Sequence, residues 1–287
     1  MAQPNFNSGV APRRVVDRAM PARRRNTPKP PSELEVKFAE LQKDYADLHE
    51  AIFEAAQVHR RLCAPRLLRY ADFEIASEIF AVRHLPGDFF TVEQTSGGVV
   101  MALGDICGKG LAAGMWTTHV VGMVRAHTTC TSAVETIVEE VNRDICRMPT
   151  LRPLASLFLA NLDVASGILT YCSAGHPPAF LLRANGDFES LSDGGLLLGV
   201  LDDAKYNRGQ VQLNQRDTLL VFSDGILESQ DAVGEEFGYE RLKARMAEAD
   251  YPSADAILFS VLGAVQDFAT IRPLMDDMTL AVVRRDA

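Results

Sequence analysis

No apolar run in these 287 residues approaches the ~18 needed for a transmembrane helix. The N-terminus also lacks the continuous apolar stretch of a secretory signal. Cysteine is sparse and odd in number, at Cys63, Cys107, Cys130, Cys146 and Cys172. None of these pairs as C-x-x-C, so neither a zinc site nor a redox motif is indicated. They read as reduced thiols, and a cytoplasmic location is expected. An excess of basic charge is missing too. Net charge is −9, which argues against a nucleic-acid partner. No internal repeat is visible. What remains, 47% hydrophobic and 23% charged residues, is ordinary globular usage with enough length for a sizeable core.

The charge is uneven along the chain. Residues 1–32 hold seven bases (Arg13, Arg14, Arg18, Arg23, Arg24, Arg25, Lys29) against one acid, Asp17, which makes +6 and leaves −15 for the rest. With Pro28, Pro30 and Pro31 interrupting any helix, this stretch reads as a disordered basic tail. Its other readings are a contact for an acidic partner or lipid, or an arginine-rich transit peptide.

Residues 33–69 read as a helical linker. Ser32 and Glu35 form the S-x-x-E capping box that opens a helix. Leu34, Phe38, Leu41, Tyr45, Leu48, Ile52, Ala55, His59 and Leu62 then recur in steps of four and three. That is a heptad seam of about four repeats, and it predicts a coiled coil, most simply a parallel homodimer. The competing reading is a helix folded back on its own domain. His59 at a seam position is either a tolerated polar residue or a register or pH element.

Residues 70–287 are mixed. Strands are expected at 73–82, 99–103, 156–162, 169–173, 179–182, 219–222 and 279–283. Helices are expected at 110–128, 132–147, 239–248 and 253–269. Runs of strands separated by pairs of helices predict an α+β domain with mostly antiparallel sheets.

Acidic residues sit where these strands meet loops: Gly87-Asp88, Gly104-Asp105, Ser223-Asp224-Gly225 and Asp276-Asp277. A single Asp-Gly is ordinarily a turn. Several converging carboxylates repel one another, and burying them unpaired is costly. Hard oxygen donors of this kind suit Mg²⁺ or Mn²⁺. Two such ions about 3.5–4 Å apart clamp phosphoryl oxygens and acidify a water.

In chain order these motifs are Gly87-Asp88-Phe89-Phe90, Gly104-Asp105-x-x-Gly108-Lys109-Gly110, Ala174-Gly175-His176-Pro177-Pro178, Ser223-Asp224-Gly225-x-x-Glu228 and Asp276-Asp277-Met278-Thr279. The set resembles the PPM (protein phosphatase 2C) superfamily, in its bacterial branch of RsbU and SpoIIE type serine phosphatases. The resemblance runs from about Glu54 to Val283. It implies a four-layer αββα sandwich. It also implies hydrolysis of a phosphoserine or phosphothreonine on a protein, by in-line attack of a metal-bridging hydroxide without a phosphoenzyme. Asp88, Asp105, Asp224 and the Ile106 carbonyl match ligand positions for two divalent cations, Mn²⁺ or Mg²⁺. Asp276 aligns with the last ligand, and a one-place shift would give that role to Asp277. Lys109 screens phosphate charge or is a plain surface lysine, and Arg83 is a further phosphate-contact candidate. The implied substrate is a phosphorylated anti-sigma-factor antagonist or another small STAS-type regulator. The implied use of residues 33–69 is to receive a regulator in trans.

The chain also departs from the family pattern. Pro86, Phe90 and Thr91 stand where the family has Gly, Tyr and Asp. The Thr91 change is expected to weaken metal affinity. Cys107 stands where animal members carry a histidine proposed as general acid, which leaves protonation of the leaving group to water. His176 reads as part of a structural turn, and His84 as a weak ligand candidate. The irregular segment 201–214 falls where the family has a variable flap, and substrate choice is expected there. These departures support a competing reading, a non-catalytic pseudophosphatase scaffold that binds partners through coil and flap. A small-molecule phosphatase shares the same metal site.

Overall fold

The structure is a computed structural model that describes residues 32–63, 65–96, 98–149, 152–248, 251–269 and 274–286. The tail expected over 1–32 lies outside these apart from Ser32. Two compact units are distinguished, Met1–Asp47 and Leu48–Ala287.

In the first unit the described residues form the start of helix α1 (Glu33–Cys63). The capping box is made: Glu35 N–H donates to Ser32 Oγ at 3.3 Å, and Ser32 N–H donates to Glu35 Oε2 at 2.6 Å. Leu34, Phe38, Leu41 and Tyr45 on the seam are exposed.

The second unit opens with the remainder of α1. Here the seam positions Ile52 and His59 turn inward together with Ala56 and Cys63. Ile52 and Ala56 are half-buried, while His59 and Cys63 are buried. The seam as predicted is therefore open through Leu48, and the last turns pack on their own domain. Arg125 fixes this end by donating from Nη2 to the Leu62 carbonyl at 3.0 Å.

Two six-stranded sheets follow. The first is built from β1 (Leu67–Tyr70), β2 (Phe73–Phe80), β7 (Ala179–Leu182), β8 (Phe188–Leu191), β11 (Thr218–Phe222) and β12 (Met278–Arg285), in the order β1-β2-β12-β11-β7-β8. The second has β3 (Asp88–Thr95), β4 (Gly98–Ile106), β5 (Ala155–Asp163), β6 (Ile168–Ala174) and β10 (Gly209–Gln212), in the order β10-β6-β5-β4-β3, with β9 (Gly194–Gly195) beside β6. Every pairing is antiparallel except β6 with β9. Sheet structure begins at Leu67, just ahead of the expected boundary at residue 70.

Helices cover both outer faces. α2 (Leu111–Thr128) and α3 (Val134–Cys146) lie on the second sheet. α5 (Gly238–Ala247) and α6 (Ala254–Ala269) lie on the first, and a single turn, α4 (Asp224–Leu227), follows β11. α3 shows why: Val134, Ile137, Val138, Val141 and Ile145 recur at helical spacing and are all buried. Three apolar layers result. Phe89, Val121, Ile137 and Leu157 fill the first, Phe73, Phe90, Phe158 and Val221 the second between the sheets, and Leu220, Leu258 and Val282 the third. This is the expected αββα sandwich. Among the described residues no helix is long and apolar enough to cross a membrane.

Candidate active site

The acidic motifs meet at one end of the two sheets. Asp88 opens β3 and Asp105 lies near the end of β4, where the two are direct cross-strand partners. Asp224 begins the α4 turn after β11, and Asp276 and Asp277 lead into β12, which pairs with β11 up to Phe222 and Leu280. Antiparallel pairing within each sheet thus brings distant sequence positions to the same edge of the sandwich.

Two glycines let the backbones approach closely enough. A Cβ on Gly225 would sit 2.1 Å from the Asp277 carbonyl oxygen. A Cβ on Gly87 would stand 3.0 Å from the Ile106 carbonyl oxygen and 3.2 Å from Asp105 Oδ1. The Ile106 carbonyl and the Asp105 carboxylate therefore face the same small space, while the Ile106 side chain is buried.

The carboxylates strain against one another. Asp88 is buried and accepts from Thr279 Oγ1 at 2.6 Å. Burial, and then the neighbouring Asp105, hold its carboxyl well above the ordinary range despite that bond. Asp105 is pushed up to about 6 by burial and then by Asp224 and Asp276. Asp224 is raised by burial and Asp276, and Glu228 by burial and Asp224. Among the described residues the one cation bonded to this group is Lys109. Its Nζ donates to Asp276 Oδ2 at 2.7 Å and to the Met275 carbonyl at 2.6 Å.

Asp276 and Asp277 face different surroundings. Asp276 is partly exposed and lines a cavity of about 250 Å³ together with Lys109, Gly225, Glu228, Ser229 and Met275. Asp277 is buried and accepts backbone N–H bonds from Val82 and Gly87, each at 2.7 Å.

The donors fit a hard cation by their chemistry: carboxylates and one carbonyl, crowded and short of positive charge. Among the described residues no group of three or more His, Cys, Asp or Glu side chains is placed so that it could hold a metal ion as it stands. Arg83 is exposed and lies against Gly110 at the start of α2, with no bond to the carboxylates among the described residues.

The departures from the family pattern find local partners. Thr91 is on the opposite face of β3 from Asp88, where Arg125 Nη2 donates to its hydroxyl at 3.2 Å. Phe90 fills the layer between the sheets. Cys107 is exposed. His176 is buried, with Nδ1 3.0 Å from Ser156 Oγ, and Ser156 pairs across strands with Asp105. Segment 201–214 is tied to α3: Asn142 Nδ2 donates to the Leu201 carbonyl at 2.8 Å, and Lys205 and Arg208 pair with Glu139 and Glu135. Sequence reasoning overlooked Thr279, which bonds Asp88, and Ser223, whose Oγ accepts the Thr279 N–H at 2.9 Å, although both stand inside the motifs it used. Their signal was a hydroxyl beside an aspartate, which is too common to single out.

Comparison with known proteins agrees with this geometry. The family Stage II sporulation protein E (SpoIIE) matches residues 95–286. Phosphoserine phosphatase RsbU of Bacillus subtilis is 25% identical over 235 residues, covering 80% of this chain and 69% of RsbU. Protein IcfG of a Synechocystis strain is 22% identical over 232 residues, covering 71% of this chain and 36% of IcfG. Among solved structures, the SiaA-PP2C domain of Pseudomonas aeruginosa superposes with a TM-score of 0.73 at 15% identity, covering 85% of this chain and 99% of that domain. The phosphatase domain of SpoIIE from Bacillus subtilis, with a fragment of its regulatory domain, gives 0.66 at 19% identity, covering 77% of this chain and 64% of that one. With this fold, this carboxylate edge and a family match over most of its length, the chain belongs to the SpoIIE family, within the RsbU/SpoIIE branch of the PPM serine phosphatases.

Proposed function

We propose that this chain is an active, metal-dependent protein serine/threonine phosphatase. The observation that carries the reading is the convergence of Asp88, Asp105, Asp224 and Asp276 at one edge, each of the first three with a raised carboxyl pKa. Four anions so placed are stabilised by cations, and Asp88, Asp105, the Ile106 carbonyl, Asp224 and Asp276 would hold two, Mn²⁺ or Mg²⁺. Bound there, the ions supply a nucleophilic water at neutral pH and charge to stabilise the phosphoryl oxygens. The chain does the rest. Thr279 and the β3/β4 pairing orient Asp88 and Asp105. Lys109 holds Asp276 and adds a positive charge at the mouth of the cavity.

The substrate in this proposal is a phosphoserine or phosphothreonine on a regulatory protein of the STAS type. It rests on family membership. The enzyme works as a homodimer through the exposed seam of α1, which also receives a regulator in trans, and it resides in the cytoplasm, where its five free cysteines stay reduced. Two of the departures that favoured a scaffold are accommodated away from the carboxylates, since Phe90 packs between the sheets and Thr91 meets Arg125.

The test is hydrolysis of p-nitrophenyl phosphate with Mn²⁺, with EDTA and with Asp224→Asn. Turnover that requires Mn²⁺ and falls at least ~10²-fold in the variant is expected. Absence of turnover together with failure to bind Mn²⁺ in a direct titration would return the chain to the scaffold reading.

A further inference from the structure

We infer that Asp277 is a positioning residue, not a cation ligand: by holding both ends of the loop between β2 and β3 it sets Asp88 opposite Asp105. The loop runs from Ala81 to Gly87, and Gly87 immediately precedes Asp88. Asp277 Oδ1 accepts the Val82 N–H and Oδ2 accepts the Gly87 N–H, each at 2.7 Å. One carboxylate therefore staples the first and last turns of the loop with two charge-assisted bonds.

Gly87 is gripped from its other side as well. Its carbonyl accepts from Thr117 Oγ1 at 2.7 Å and from the Ile106 N–H at 3.3 Å. With amide and carbonyl both fixed, the peptide leading into Asp88 has one orientation. Two residues further along the same segment, the Thr279 hydroxyl meets the Asp88 carboxylate itself at 2.6 Å. The Asp276–Thr279 stretch thus divides its work. Asp276 faces the open cavity and Lys109. Asp277 faces the loop, and Thr279 faces Asp88. Asp276 lies in a bend and Asp277 just ahead of β12, and their carboxylates meet different groups, so the two are placed to do different things.

Asparagine at 277 keeps the shape but not the function. It offers one carbonyl acceptor, and its NH₂ would meet the second backbone N–H. The inference rests on the proposed phosphatase reading only in treating Asp88 as a ligand. The clamp itself is measured on the metal-free full-length chain.

Three measurements on that isotope-labelled protein test it. In the wild type, scalar couplings across the hydrogen bonds from the Val82 and Gly87 amide nitrogens to the Asp277 carboxyl carbon are expected, and they are expected to survive addition of Mg²⁺. Loss of both couplings on adding Mg²⁺, or their absence beforehand, overturns the inference, and this needs no variant to fold. In Asp277→Asn, exchange of the Val82 and Gly87 amides should accelerate about tenfold or more while the core amides stay protected. Mn²⁺ titration of the same variant should keep the wild-type stoichiometry with Kd weakened roughly tenfold. Loss of one equivalent of Mn²⁺ with unchanged amide exchange would make Asp277 a ligand after all. If the wild type binds no Mn²⁺ while the couplings are present, the clamp stands and the phosphatase reading fails.

Discussion

His176 shows how much a single residue's setting decides. Its place between Gly175 and Pro177 is compatible with a catalytic loop histidine, yet it is buried against Ser156 and Phe158, and burial pushes its pKa down to about 3. It therefore stays neutral throughout the working range and takes no part as a titrating acid or base. The consequence is acid lability. Its folded pKa lies below the unfolded value near 6.5, so the unfolded chain binds the extra proton, and stability is lost as pH falls from about 6.5 toward 3. Between pH 7 and pH 5 this one group costs about 2 kcal/mol. Urea unfolding of wild type and His176→Gln at both pH values should show that excess pH-dependent loss in the wild type alone. Equal loss in both proteins would refute the assignment. Thr91 teaches the same lesson. Its departure from the family aspartate looked like damage to a metal site, but it faces Arg125 on the other side of its strand.

At the scale of elements, α1 changes role along its length. Leu34, Phe38, Leu41 and Tyr45 are at least 58% exposed, a continuous apolar stripe on the first half of the helix. The second half buries His59 and Cys63 in its own domain. If the stripe is a dimer seam, a charge at its centre should dissolve the dimer and leave the fold intact. Leu41→Asp is expected to sediment as a monomer at concentrations where the wild type is a dimer, with little change in melting temperature. A monomeric wild type would remove the seam from the proposal.

Strand legibility follows the same physical logic. The strands predicted from sequence, β2, β4, β5, β6, β7, β11 and β12, all lie inside their sheets. Apolar layers on both sides of them make nearly continuous hydrophobic runs such as Leu219-Leu220-Val221-Phe222. The ones passed over, β1, β3, β8 and β10, are the four sheet edges, and the two-residue β9 pairs off the main path. Edge strands are short or polar, and β3 is buried on both faces in its first half and opens to solvent in its second, so no period of two survives in it.

For the whole molecule, the main electrostatic feature is a carboxylate edge that folding concentrates at a cost. Asp105 titrates near 6 in the folded protein against about 4 unfolded. The folded form thus favours the protonated acid, and the stability this contributes is full below about pH 4 and is lost as pH rises through 6. Its sign is opposite to that of His176. Divalent cations require the ionised ligands, so Mn²⁺ should raise the melting temperature at pH 7.5 and do so progressively less as pH falls below 6. The gain should vanish in Asp224→Asn. A Mn²⁺ shift of the same size at pH 5 and 7.5 would contradict this assignment of charge.

The sequence alone settled the class of the chain, because its evidence is local and ordered. Five short motifs in family order, a capping box and helix and strand periodicities can all be read one window at a time. It aligned Asp276 with the last ligand but left a one-place shift to Asp277 open, since neighbouring aspartates are chemically identical until the bend ahead of β12 gives each carboxylate its own partners. Nor could it show where the α1 seam stops, because burial of His59 and Cys63 depends on elements far along the chain. Those distinctions belong to tertiary structure, where two amides from a loop some 190 residues away occupy one carboxylate, while its neighbour meets Lys109 beside the cavity.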